Sequence, residues 1–261
     1  MATKLQIEVD LDYTLQQPGP AILSVEAAGA EGQTIIDASI DLGQLEHFGR
    51  VPGEEGIGEK IVIRTANGIH CAYRAVVEVT RPDIVLTTLA AVDYDLLPGD
   101  ALRYLLPSMY CEAERFVPFV GETFGELAGG AKVVAIRDWI SQHLSYVSGT
   151  STSETTATDT FLERRGVCRD YAHLMIAMCR AGSIPARIAS GFAPAVEPPD
   201  FHAVAEVYLA GEWHSVDATG MSTPANFALI AVGRDALDVA FMTTTGAADM
   251  QTQSVRVTQI S

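Results

Sequence analysis

The sequence predicts an α+β protein: an N-terminal antiparallel β-sandwich over residues 1–108, then a second unit of mixed helix and strand over 109–261. Three observations lead there. Leu5, Ile7, Val9, Leu11 and Tyr13 alternate with mostly polar neighbours, the period of a strand with one buried face. Residues 132–147 carry Val133, Val134, Ile136, Trp139, Ile140, Leu144 and Val147 at helical spacing. Residues 168–181 are apolar on nearly every side, which places a helix in a core.

In the first unit, residues 21–25, 60–65 and 70–79 are further strands. Asn67-Gly68 lies between the last two and favours positive φ, so a tight hairpin is expected there. Short strands punctuated by Gly and Pro point to a sandwich. No catalytic cluster falls in this half. Residues 97–108, with Pro98-Gly99 and Pro107, read as a linker.

In the second unit the helix over 132–147 comes first. Residues 149–160 are rich in Ser and Thr, the composition of a loop that supplies helix caps. Thr158-Asp159 starts a short helix through Arg165, stopped by Gly166. The helix over 168–181 ends at Gly182 and Pro185. Residues 186–192, 202–209 and 213–216 are strands, with Gly211-Glu212 at the turn of an antiparallel hairpin. Beyond about 221 there is no strong signal, and 243–248 reads as a loop.

The bulk numbers exclude some functions. With 33 acidic against 17 basic residues the net charge is -16; such a surface repels phosphate backbones, and no nucleic-acid partner is expected. No apolar run reaches the length of a membrane span, and the N-terminus lacks the pattern of a secretory leader. The expectation is a cytoplasmic protein without membrane association, whose cysteines (Cys71, Cys111, Cys168 and Cys179) stay reduced.

A reduced thiol can serve as a nucleophile, and Cys168 is best placed for it. It opens a buried helix, where unpaired N–H groups and the positive end of the dipole favour thiolate. The same N–H groups can hold a developing oxyanion. His202 opens a strand after the turn Val196-Glu197-Pro198-Pro199-Asp200. Asp217 ends the next strand; if the two strands pair, its carboxylate reaches the imidazole nitrogen facing away from sulfur.

These residues sit in segments that resemble a known family. Gly166-Val167-Cys168-Arg169-Asp170-Tyr171-Ala172 resembles the G-x-C-x-D/E-x-A segment of transglutaminase-like domains. Residues 182–192, containing Ile184-Pro185-Ala186-Arg187 and Gly191-Phe192, resemble the segment that follows it. His202-Ala203-Val204-Ala205-Glu206-Val207-Tyr208 and Trp213-His214-Ser215-Val216-Asp217-Ala218-Thr219 resemble the two after that. The order agrees, over about residues 130–220. More weakly, residues 1–108 resemble the β domain fused to bacterial members, and 104–110 and 233–240 resemble segments flanking the core there.

The resemblance implies a papain-like core and acyl transfer through a thioester. Cys168 would be the nucleophile, His202 the base and acid, and Asp217 its orienter. The substrate would be a peptide or protein amide; the family does not fix hydrolysis against crosslinking, and hydrolysis is the favoured expectation. Some relatives use calcium, but no calcium loop is present here, and neither metal nor cofactor is expected. Tyr146 falls where relatives carry a residue near the oxyanion. Asp170 is expected to be structural, pairing with Arg169 or Arg187. Cys71, Cys111 and Cys179 are expected to pack, and His214 to face solvent. Two competing readings are a catalytically silent binding module that keeps the fold, and a zinc site using Cys168 and His202, which lacks further ligands at suitable spacing.

Overall fold

The computed structural model of the protein describes residues 2–66 and 68–260. In chain order the first strands are β1 (Thr3–Leu15), β2 (Gly19–Leu23), β3 (Gln33–Asp41), β4 (His47–Pro52), β5 (Glu59–Thr65) and β6 (Gly68–Val79). Helices α1 (Gly99–Leu102), α2 (Ala113–Phe124) and α3 (Gly129–His143) follow, then β7 (Ser145–Tyr146), α4 (Ala157–Glu163), β8 (Arg165–Gly166) and α5 (Cys168–Ala181). The chain continues through β9 (Ala186–Phe192), β10 (His202–Leu209), β11 (Glu212–Val216) and β12 (Ala228–Gly233). It ends with α6 (Ala236–Val239), β13 (Met242–Thr244) and β14 (Ala248–Gln259).

Two four-stranded sheets form the sandwich, in orders β14-β1-β6-β3 and β13-β2-β5-β4. The alternation along β1 buries Leu5, Ile7, Val9, Leu11 and Tyr13, and β6 answers with Ile69, Cys71, Tyr73, Ala75, Val77 and Val79. Asn67 of the expected hairpin lies outside the described residues. The strands on either side of it do not form a hairpin with each other. β5 pairs with β2 and β4, while β6 pairs with β1 and β3. Consecutive strands therefore enter opposite sheets, each finding a partner with which its apolar face can be buried.

Nor is the sandwich confined to residues 1–108. β13 pairs with β2 and β14 with β1, so a stretch expected in the second unit completes both sheets of the first. Thr243 and Thr244, read as loop, belong to β13.

The second unit centres on α5, whose bounds match the expected ones. Every residue from Asp170 to Arg180 is buried, between α2, α3 and α4 on one side and β9 and β10 on the other. The sheet behind it has order β11-β10-β9-β12, all antiparallel. β10 and β11 form the expected hairpin, but its turn is Ala210-Gly211, both at positive φ (52° and 92°). α3 stops at His143, before the expected end, because Ser145 and Tyr146 leave the helix to pair with β8. α4 is capped by Thr156, whose side chain accepts from Asp159 N–H while the Asp159 carboxylate accepts from Thr156 N–H, a reciprocal cap.

The flanking segments 104–110 and 233–240 meet where the Asp235 carboxylate accepts from Tyr110 N–H at 3.2 Å. No helix among the described residues is long and apolar enough to cross a membrane.

Candidate functional site

Cys168 is fixed by the turn that begins α5. The Asp170 carboxylate folds back over that turn, accepting from Val167 N–H at 2.8 Å and from the Ser151 hydroxyl. Its other oxygen pairs with the Arg169 guanidinium at 3.0 Å. Room for this carboxylate exists because residue 166 is glycine: a Cβ there would stand 2.7 Å from the Asp170 Cβ and 2.8 Å from its Oδ2. Asp170 thus has the expected structural place, with Arg169 as partner. Arg187 is engaged elsewhere, between Glu55 and Glu206 at 2.7 Å each and under the Trp213 ring.

Gly166 also pairs with Tyr146 across the short parallel bridge of β7 and β8. That bridge carries the Tyr146 ring to the start of α5. Burial, and next the Cys168 sulfur, raise the Tyr146 hydroxyl above its ordinary pKa, while a hydrogen bond from Cys168 N–H works the other way. Cys168 is half-buried, and its sulfur lies 3.9 Å from the Phe201 carbonyl.

His202 and Asp217 come from the adjacent sheet. β10 pairs with β11 in the register Ala205 to Val216, which leaves Asp217 just past the strand and level with the start of β10. The His202 Nε2 to Asp217 Oδ2 distance is 2.7 Å, and His202 is 1% exposed. Asp217 is itself held from several sides. Its Oδ1 accepts from Thr219 N–H and hydroxyl at 2.8 and 2.6 Å. Its Oδ2 also accepts from Ser222 N–H and hydroxyl at 2.9 and 2.7 Å.

Burial works against charge on both members of this pair, but their contacts outweigh it. The imidazole is pushed up to about 9: burial lowers it, and the Asp217 hydrogen bond followed by the Cys168 thiol raises it. Asp217 is held below the usual carboxylate value: burial raises it, and His202, Thr219 and Ser222 bring it down. The buried Nδ1 of His202 has no hydrogen-bond partner among the described residues. With Nε2 committed to Asp217, Nδ1 is the nitrogen left for the sulfur side. The edge of the Phe227 ring closes over the imidazole at 6.2 Å between centroids.

The structure therefore brings Cys168, His202, Asp217 and Tyr146 to one place. The three other cysteines are buried, and burial pushes each thiol up to about 12. His214 is a correction to the sequence reading. It is 7% exposed and its Nε2 lies 3.1 Å from the Leu209 carbonyl, because the buried positions of β11 are His214 and Val216. Trp213 takes the other face, against Tyr104 and Tyr208. Ser222 and Ser151 were not visible in the sequence: a lone Ser in a loop carries no periodic or spacing signal.

A cavity of about 900 Å³ lies between the sandwich, residues 80–86 and β11, and reaches Asp217 and Ser222. Cys168 and His202 are not on its walls, so it is distinct from the approach to the sulfur.

A buried helix opening with cysteine, against an antiparallel sheet bearing a His–Asp pair, defines the papain-like class of α+β folds. Within that class the model of the transglutaminase-like superfamily matches residues 120–218. A candidate cysteine protease from Cytophaga hutchinsonii, known as a crystal structure, superposes with a TM-score of 0.93 at 34% identity, over 100% of this chain and 92% of that one. The chain belongs to the transglutaminase-like superfamily. An uncharacterized protein of Mycobacterium leprae is 30% identical over 146 residues, 52% of each chain. One from Mycobacterium tuberculosis is 31% identical over 125 residues, 41% of this chain and 40% of that one. The chain thus spans about half, or less, of the curated relatives it matches.

Proposed function

We propose that this protein is a cysteine-nucleophile acyl-transfer enzyme that cleaves peptide or side-chain amides, with water as the usual acceptor. The observation that carries the reading is the His202–Asp217 pair at 2.7 Å, with the unpartnered His202 Nδ1 left for Cys168.

In this reading the imidazole takes the thiol proton and Cys168 is held as thiolate. The sulfur attacks the amide carbon and a C–S bond forms. The carbonyl oxygen gains charge beside Cys168 N–H and the Tyr146 hydroxyl, both of which can donate to it. His202 then gives its proton to the departing nitrogen, and the C–N bond breaks to leave a thioester. Water loses a proton to His202 and attacks that thioester; the C–S bond breaks, freeing the acid and the thiol. Asp217 holds the ring with Nε2 protonated and stabilises the imidazolium. An amine in place of water would give transamidation by the same steps. A silent binding module gains no support from a half-buried cysteine beside a His–Asp pair whose second ring nitrogen is unpartnered.

The test is site-resolved alkylation by iodoacetamide across pH, together with amide hydrolysis by the wild type and Cys168→Ala. Fast alkylation of Cys168 alone below about pH 7, with turnover abolished and the melting temperature kept in Cys168→Ala, is the expected result. Hydrolysis undiminished in Cys168→Ala overturns the reading.

A further inference from the structure

The segment between β9 and β10 ends in Asp200-Phe201-His202. Two of these residues reach the sulfur: the Phe201 carbonyl at 3.9 Å and the imidazole of His202. Asp200, the third, is held in place from outside its own unit. Its Oδ1 accepts from Phe201 N–H at 2.8 Å and from the Gln253 side-chain amide at 2.9 Å. Gln253 lies on β14, and its carbonyl accepts from the Tyr13 hydroxyl of β1 at 2.5 Å. A carboxylate only accepts, so it orients the Gln253 amide, and Tyr13 then donates. Both sandwich strands that meet at this edge thus serve to aim one carboxylate.

That carboxylate lacks a counter-ion. Among the described residues no Lys, Arg or His forms an ion pair with it, and no hydrogen bond reaches Oδ2. Asp200 is exposed to solvent on one side; the part of it that packs against the protein raises it above the ordinary aspartate value, and the Phe201 N–H and Gln253 amide bonds act against that. Its charge is felt by the Tyr146 hydroxyl, beside Cys168. Other acids near the core have a cation, Asp170 in Arg169 and Glu206 and Glu55 in Arg187. An oriented, unmatched carboxylate at the rim of a reactive centre favours ligands that bring the missing cation.

We infer that Asp200 is a specificity residue that selects substrates bearing a positive charge on the amine side of the scissile amide, such as a peptide with lysine or arginine just after the bond. The side follows from the chemistry of the proposed function, on which this inference rests. His202 must hand its proton to the departing nitrogen, so that nitrogen leaves past the imidazole, along the chain segment that carries Asp200.

The experiment separates the two claims. Cys168 is modified with a pair of methanethiosulfonates, one carrying a trimethylammonium group and the other a sulfonate; thiolate attacks sulfur and methanesulfinate leaves. The rates are read at Cys168 by mass spectrometry at neutral pH, in the wild type, Asp200→Asn, Asp200→Lys and a control, Asp37→Asn, on exposed β3. Peptides differing only in Lys or Glu after the scissile bond are compared in the same proteins. The cation-to-anion rate ratio is expected to fall about fivefold or more in Asp200→Asn, further in Asp200→Lys, and not in Asp37→Asn, as a unit charge felt at Tyr146, beside the sulfur, requires. The Lys preference is expected to fall with it. A ratio in Asp200→Asn equal to that in Asp37→Asn overturns the inference. A Lys preference that survives in both Asp200 variants overturns its substrate part. Absence of peptide cleavage in the wild type would instead remove the proposed hydrolysis, leaving the reagent ratio to stand or fall by itself.

Discussion

Replacing Asp217 by Asn isolates the electrostatic part of the site from its shape. In the wild type the imidazole sits at about 9, against an ordinary 6.5, a gap worth roughly 3 kcal/mol. The Asp217 hydrogen bond is the largest of the contributions that raise it, so its loss removes the main support of the charged ring. An Asn amide cannot accept from Nε2 while also accepting from Thr219 and Ser222; its NH2 group must face either the imidazole or donors that are already donating. The ring is driven toward the other tautomer and loses its positive form, because burial alone lowers it. At about pH 6 alkylation of Cys168 should then slow by on the order of 10-fold or more, a factor of ten for each pKa unit the imidazole loses. Iodoacetamide rates at Cys168 from about pH 5 to 10 measure it directly: the wild type reacts across the range, and Asp217→Asn reacts only as pH approaches that of a free thiol. Stability reports the same bond. The folded pKa of His202 lies above the unfolded one, so its stabilisation is complete below about pH 6.5 and is lost as pH rises through about 9. Urea unfolding at about pH 6 and about pH 10 should show that loss in the wild type and a much smaller one in the variant. An alkylation profile in Asp217→Asn that overlays the wild type would refute the thiolate–imidazolium account.

Three other substitutions test separate parts of the structure. Tyr146→Phe should lower kcat by on the order of 10²-fold with little change in KM, as loss of one oxyanion donor does; steady-state kinetics on an amide substrate will show a KM effect instead if Tyr146 only packs. Arg187→Ala leaves Glu55 and Glu206 facing each other with side chains only 18% and 13% exposed, and should cost about 3–5 kcal/mol in chemical denaturation. Gly191→Ala puts a Cβ 2.4 Å from the Ala228 carbonyl and 2.5 Å from the Phe227 ring; since Gly191 pairs with His202 and Phe227 covers the imidazole, Cys168 alkylation at low pH should slow more than the melting temperature falls.

The sequence was readable where burial is one-sided or complete over a long element. β1 and β6 bury alternate residues, and α5 buries nearly all of its length, so period and boundaries were legible. β3 and β4 pair on one side only and are largely exposed; without a buried face they leave no alternation to find. β14 has the same character, with Val255 as its one fully buried side chain, and so the return of the chain to the sandwich was invisible. β12 is buried on both faces, a short apolar run that does not distinguish strand from helix. At the site, Cys168, His202 and Asp217 were picked out through the order of motif segments rather than through any one residue, and Tyr146 only by its place in the resemblance. Ser222 and Gln253 escaped, because each acts through a contact between segments distant in sequence or lacking pattern.

The way the chain closes bears on why the two units travel together. Glu55 comes from the segment between β4 and β5, yet it supplies one of the two carboxylates that hold Arg187, on β9 of the core sheet. It also receives the Tyr104 hydroxyl from the connecting segment. On the other edge, Gln253 of β14 holds the segment that carries His202. The sandwich therefore grips the core sheet at β9 and at the entry to β10, the two strands whose register sets His202 opposite Gly191. A buried arginine between two carboxylates is weak evidence for net stability, but losing either partner leaves charge uncompensated. The sandwich is thus part of what positions the imidazole, and a core expressed without it would lack two of the contacts that hold the histidine-bearing strand in place.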